Sequence, residues 1–109
     1  MSTRAEQEFR NAAIRQERCA GCGRLVLDQG EAHHAVPKAS LRKLFPERPE
    51  VVWDTRNAVL LCREVCHPRH TVRFEPLPYE KLPADVHAFA AELSITWLVE
   101  KLYPRQEAA

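Results

Sequence analysis

Residues 19–23 read CAGCG, residues 31–37 read EAHHAVP and residues 56–70 read RNAVLLCREVCHPRH. Two close cysteine pairs thus bracket two adjacent histidines, and the second pair runs straight into His67 and His70. Cys19 and Cys22 are spaced C-x2-C with glycines at 21 and 23, a composition that turns tightly enough for both sulfurs to reach one tetrahedral ion. Cys62 and Cys66 are spaced C-x3-C, within the roughly two to four intervening residues that zinc sites use. The four cysteines are therefore expected to hold a structural zinc. Reduced core cysteines would make the paired spacing a coincidence, and a redox pair would need a thioredoxin-like strand and helix that the sequence lacks. A closed four-thiolate site has no open coordination position, so any chemistry has to come from other residues.

Working outward, the chain of 109 residues fits a single domain, residues 1–109, of a size whose small core gains from a metal staple. Hydrophobic residues are 45% and charged residues 28%, a globular composition rather than a disordered one. No run approaches the roughly 18 apolar residues of a membrane span, and MSTRAEQEFR is too charged for a secretory signal. Both points predict a cytoplasmic protein with reduced thiols and no membrane partner. The net charge of +1 selects no partner, but residues 36–73 carry eight Lys or Arg against four acids, and this basic excess surrounds the histidines. It points to a phosphate-bearing partner, or to an ordinary mixed-charge surface.

Residues 3–18 read as a helix, with Ser2 or Thr3 as its cap, Glu6 and Glu8 at its positive end and Arg15 and Arg18 at its negative end. Its apolar content, Phe9 with Ala12, Ala13 and Ile14, is thin, so it leans on the rest of the domain or on a partner. Residues 24–27 and 31–36, separated by Asp28, Gln29 and Gly30, predict a β-hairpin. Pro37 starts a short helix through Leu44, Pro46 and Pro49 break the chain, and residues 51–53 form a brief strand. Residues 66–74 have room for about two helical turns. Leu82, Val86, Phe89, Leu93 and Trp97 recur at helical steps and predict one long helix over residues 83–103, stopped by Pro104. Its apolar stripe serves the core or a dimer face.

The order EAHHAVP then RNAVLLCREVCHPRH, interleaved with the cysteine pairs, resembles the HNH endonuclease family over residues 19–74, about half the chain. The resemblance implies an α+β fold: a ββα-metal core with a hairpin and short helix around a structural zinc, flanked by the N-terminal helix and the long C-terminal helix. It implies that His34 is the general base that deprotonates water, that Asn57 orients the His34 ring by a hydrogen bond, and that His33 and His67 hold a catalytic divalent metal (magnesium, manganese, nickel or zinc). His70, three residues beyond His67, shares or takes over the ligand role, or contacts phosphate. Adjacent residues of a regular strand face opposite ways, so His33 and His34 line one site only if the strand ends or bulges there. Arg42, Lys43, Arg63, Arg69 and Arg73 are candidates for DNA phosphate contacts, which position the duplex without reading its sequence. The expected activity is hydrolysis of DNA phosphodiesters, by nicking or double-strand cleavage. The family also implies phage genome processing or packaging, in the host cytoplasm; the apolar stripe of the C-terminal helix, outside the matched stretch, is what would form a homodimer or dock a larger assembly. The alternative is a zinc-stabilised module that binds nucleic acid or protein without cutting.

Overall fold

The computed structural model describes residues 3–26, 30–63, 66–67 and 77–105. It is a small α+β domain in which an antiparallel pair of strands is covered by four α-helices among the described residues. The first helix, α1 (Arg4–Ile14), is capped by Thr3, whose Oγ1 accepts from the Glu6 amide at 3.2 Å. It ends earlier than its composition suggested, because Glu17 takes a left-handed backbone with φ of 66°. Phe9 and Ala13 form its buried face.

Strand β1 (Gly30–His34) pairs with β2 (Ala58–Cys62), in a register that sets Gly30 opposite Cys62 and His34 opposite Ala58. The expected hairpin is therefore corrected. Leu25 makes an isolated bridge with Arg18 instead, the Val26 amide bonds to the Glu17 carbonyl at 2.7 Å, and β1 finds its partner far along the chain. Every residue of β2 is buried, so AVLLC offers the apolar surface that the polar β1 needs to close a core. A Cβ on Gly30 would stand 2.5 Å from Leu60 Cδ1 and 2.8 Å from Val26 Cγ1, so any larger residue where β1 starts across β2 would have to displace those two side chains. The outer edge of β2 is covered by a side chain: Gln16 Nε2 donates to the Ala58 carbonyl at 2.7 Å, and Gln16 Oε1 accepts from the Leu60 amide at 3.0 Å.

Pro37 precedes α2 (Lys38–Leu44) as expected. The brief strand expected at residues 51–53 is instead part of a 3-10 helix, Pro49–Trp53, followed by a second, Thr55–Asn57. Asp54 caps that second turn through the Arg56 amide at 3.0 Å. Cys66 and His67 are helical; the remainder of the helix expected over residues 66–74 lies outside the described residues.

The long C-terminal helix is two helices, α3 (Ala84–Glu92) and α4 (Thr96–Leu102). Ser94, with φ of 59°, closes α3: its amide bonds to the Ala91 carbonyl at 3.1 Å, and the Ile95 amide bonds to the Ala90 carbonyl at 2.8 Å. That is the paired hydrogen-bond pattern of a helix C-terminus that usually has glycine at the left-handed position. The break rotates the stripe, so Leu82, Val86, Phe89 and Leu93 are buried in the chain's own core while Trp97 is 57% exposed. Three contacts fasten this end to the rest. The Tyr103 hydroxyl donates to the Ala35 carbonyl, Arg56 pairs with Asp54 and Glu92 while lying over the Phe89 ring, and Lys81 Nζ donates to the Gly21 carbonyl at 2.8 Å. Among the described residues, no helix is long and apolar enough to cross a membrane.

Candidate metal centre and histidine site

Sequence positions 19 and 22 meet positions 62 and 66 where β2 ends beside the knuckle, and the four sulfurs lie within 4.8 Å of one another. Gly23, at φ of 75°, lets the knuckle turn back so that its amide reaches the Cys19 carbonyl at 2.9 Å. Cys22 Sγ and Cys62 Sγ are 3.9 Å apart. A disulfide requires about 2.05 Å, whereas a tetrahedron with bonds of about 2.3 Å has edges of about 3.8 Å. The Cys62 amide points at Cys19 Sγ and the Cys66 amide at Cys62 Sγ, each at 3.3 Å, which is how backbone donors support thiolates.

The electrostatics agree. Burial works to raise the Cys19 thiol, but backbone N–H groups of Cys22, Cys62 and Gly21 and the Cys66 thiol bring it down to about 7. Burial, followed by the neighbouring sulfurs of Cys19 and Cys62, pushes the Cys66 thiol up. One thiolate in the cluster thus opposes the next, and a cation is what allows all four to ionise together. Cys19, Cys62 and Cys66 are buried and Cys22 is exposed. The donor set, its spacing and its amide donors suit a structural metal ion such as zinc.

The second constellation lies where β1 ends. His34 Nε2 is 3.0 Å from the Val52 carbonyl. A carbonyl only accepts, so Nε2 carries the proton and Nδ1 is the ring's remaining acceptor. The imidazole stacks on Phe9 of α1, with centroids 4.1 Å apart and planes 18° apart, and meets Trp53 edge-on at 5.2 Å. Burial lowers its basicity most; the Val52 carbonyl works the other way, the charges of Lys38 and Arg42 add to the lowering, and the result is a pKa of about 4. His34 forms part of the wall of an open cleft of about 310 Å³, together with Glu6, Phe9 and Arg10 of α1, Glu31 and Ala32 of β1, Lys38 and Trp53.

Asn57 is the one buried polar side chain among the described residues, and its role differs from the expected bond to His34. Its Oδ1 accepts from the Val36 amide at 2.8 Å, its Nδ2 donates to the Val36 carbonyl at 3.0 Å, and its own carbonyl accepts from the Ala35 amide at 3.0 Å. It orients the chain leaving β1, and acts on His34 only through the two residues that follow it. His33 precedes His34 in an unbroken register, opposite Val59, so strand alternation sets it on the other face of β1. His67 is half-buried directly after Cys66. His70, Arg69 and Arg73 lie outside the described residues. Arg42 and Lys43 are exposed in the last turn of α2, and Arg63 pairs with Glu31 at 2.8 Å.

Among the described residues, the cysteines are the only group of three or more metal donors brought together. Reading the sequence missed Phe9, Val52 and Trp53 as the surroundings of His34. Phe9 carried a usable signal, as the one large apolar residue in the first ten of a polar helix. A backbone carbonyl carries none.

Comparison of the chain with models of known protein families, with curated protein sequences and with solved structures found no match in any of the three.

Proposed function

We propose that this chain is a metal-dependent DNA endonuclease of the HNH type, with a zinc held by Cys19, Cys22, Cys62 and Cys66 and with His34 as general base. The observation that carries the reading is the state of His34: one nitrogen is fixed on the Val52 carbonyl and the other is left as an acceptor in a ring that is uncharged at neutral pH, beside an open cleft. A base of pKa about 4 is weak, but it is in its proton-accepting form throughout the physiological range. A phosphodiester in the cleft adds negative charge next to the ring and raises its proton affinity as water is deprotonated. Asn57 holds the strand end that carries it, and Lys38, Arg42 and Lys43 offer cations to the nucleic acid backbone.

In the family pattern His33, His67 and His70 would hold a catalytic divalent ion, but His33 lies on the face of β1 opposite His34 and the described histidines are not assembled into a donor group, so the reading rests on His34 and not on that ligand set. When bound, such an ion stabilises negative charge on the phosphate and the leaving oxygen. A role in phage genome processing or packaging, with a second copy or a larger assembly docked at the C-terminal helices, belongs to the same proposal.

A second reading is supported by the packing of His34 and the lack of a second assembled donor group among the described residues. A stacked, hydrogen-bonded histidine also suits a zinc-stabilised module that binds without cutting. The two readings separate on supercoiled plasmid incubated with wild type or His34→Ala in EDTA, magnesium, manganese, nickel or zinc. The nuclease reading expects metal-dependent nicked or linear DNA from the wild type alone, with zinc content equal in both. Intact plasmid with every metal, or equal cutting by the variant, overturns His34 as base.

A further inference from the structure

The segment before residue 19 lies outside the stretch that resembles a nuclease, yet it supplies the residue in closest ring contact with His34. We infer that Phe9 is a positioning residue for the His34 imidazole, which makes α1 part of the site rather than an appendage to it. The inference rests on the nuclease reading for its kinetic consequence, but not for its structural content.

An imidazole on a strand end has two torsions to fix, and a single hydrogen bond to the Val52 carbonyl leaves the ring free to swing about that bond. Phe9 removes this freedom by covering one face at 4.1 Å and 18°, and Trp53 abuts the edge at 5.2 Å and 71°. Phe9 and Trp53 are themselves locked together edge-to-face at 5.7 Å and 84°. Phe9 is 2% exposed, so it is unavailable for stacking on substrate, and its ring is used on its protein neighbours. If the imidazole tipped, Nε2 would leave the carbonyl and the ring could exchange which nitrogen is protonated, removing the acceptor that water deprotonation needs. α1 is held against the strands independently, since Gln16, just beyond its end, bonds to both Ala58 and Leu60 of β2. The helix therefore presents Phe9 from a fixed base.

The test uses the whole 109-residue chain, loaded with zinc. In the wild type, nitrogen-15 spectra should show His34 as a single Nε2–H tautomer, with its ring protons moved upfield by the Phe9 face. Phe9→Leu, which keeps the apolar volume but has no ring face, should give a tautomer mixture, while Phe9→Tyr should restore the wild-type pattern. In plasmid nicking, Phe9→Leu should lower kcat by about ten-fold to a hundred-fold, as loss of orientation does, with KM unchanged and with recovery in Phe9→Tyr. Zinc content and melting temperature establish that each variant is folded. A wild-type ring without the upfield shift overturns the inference without any variant being needed, as does a pure Nε2–H tautomer in folded Phe9→Leu. If the wild type cuts no DNA while the tautomer responds as stated, the positioning role stands and the nuclease reading fails.

Discussion

Asn57 is fully buried and satisfies both ends of its carboxamide on the backbone of Val36. Asn57→Ala leaves a buried amide and a buried carbonyl without partners, each costing about 1 to 3 kcal/mol. Urea unfolding should therefore show a loss of about 2 to 6 kcal/mol; a loss below about 1 kcal/mol would mean that water replaces the side chain. His34 ties stability to acidity. Its folded pKa of about 4 lies below the ordinary 6.5, so the unfolded chain binds the proton first. Its stabilisation is complete above pH 6.5, falls as the pH drops through that window, and is gone below about pH 4. Melting curves of wild type and His34→Phe across this window should converge toward acid, with the wild type falling more steeply. Parallel curves would show that the histidine is not the group responsible, since any release of metal from the cysteines at low pH would be common to both proteins.

At the level of elements, two local devices do what the pattern of apolar residues alone does not. The Gln16 side chain stands in for a third strand, and Gln16→Ala should cost about 1 to 3 kcal/mol by exposing the β2 edge groups to imperfect hydration. Hydrogen exchange of the Leu60 amide measures this directly, and unchanged protection in the variant would deny Gln16 that role. Ser94 carries a left-handed backbone at the end of α3. Ser94→Gly removes the Cβ penalty there, and should raise stability by about 0.5 to 1 kcal/mol, where a helix-interior glycine would lower it by a similar amount. A lower melting temperature in Ser94→Gly would count against the capped break and in favour of a continuous helix.

For the whole molecule, the expected behaviour on metal removal is loss of structure, because the four sulfurs come from both halves of the chain and opposed thiolates take the place of a cation when it leaves. Chelation, or Cys19→Ser, should abolish the cooperative melt and the dispersed amide spectrum; a chelated protein with an unchanged melt would assign the cluster no structural role. The cysteine frame, α1 with its Thr3 cap, and the start of α2 after Pro37 were all legible in the sequence, because each follows from local residue chemistry. The pairing of β1 with β2 was not. AVLLC has no alternation to mark it as a strand, and its partner lies more than twenty positions away, whereas a nearer hairpin was available on paper. The helix break at Ser94 was hidden for the opposite reason, since neither glycine nor proline marks it and the stripe continues through it as far as Trp97. At the candidate site, His34 and Asn57 were visible as residue types, but their partners are a carbonyl and a backbone turn that leave no trace in composition.

Cys22 and Cys62 stand 40 positions apart, with their sulfurs in contact. An ion joining them closes the intervening chain into a ring containing β1, α2, both 3-10 turns and β2, and thus His34, Val52 and Asn57 together. For a ring of that size, closure removes roughly 4 kcal/mol of conformational entropy from the unfolded chain on the cross-linking model. The size of the effect grows only with the logarithm of the circumference, so even doubling the ring changes it by about 0.6 kcal/mol. Residues 46–48 are exposed between α2 and the first 3-10 turn, on the arc of that ring away from the sulfurs. Extra chain inserted there would lengthen the circle while leaving its clasp in place, so this arc is where the domain can grow at least thermodynamic cost.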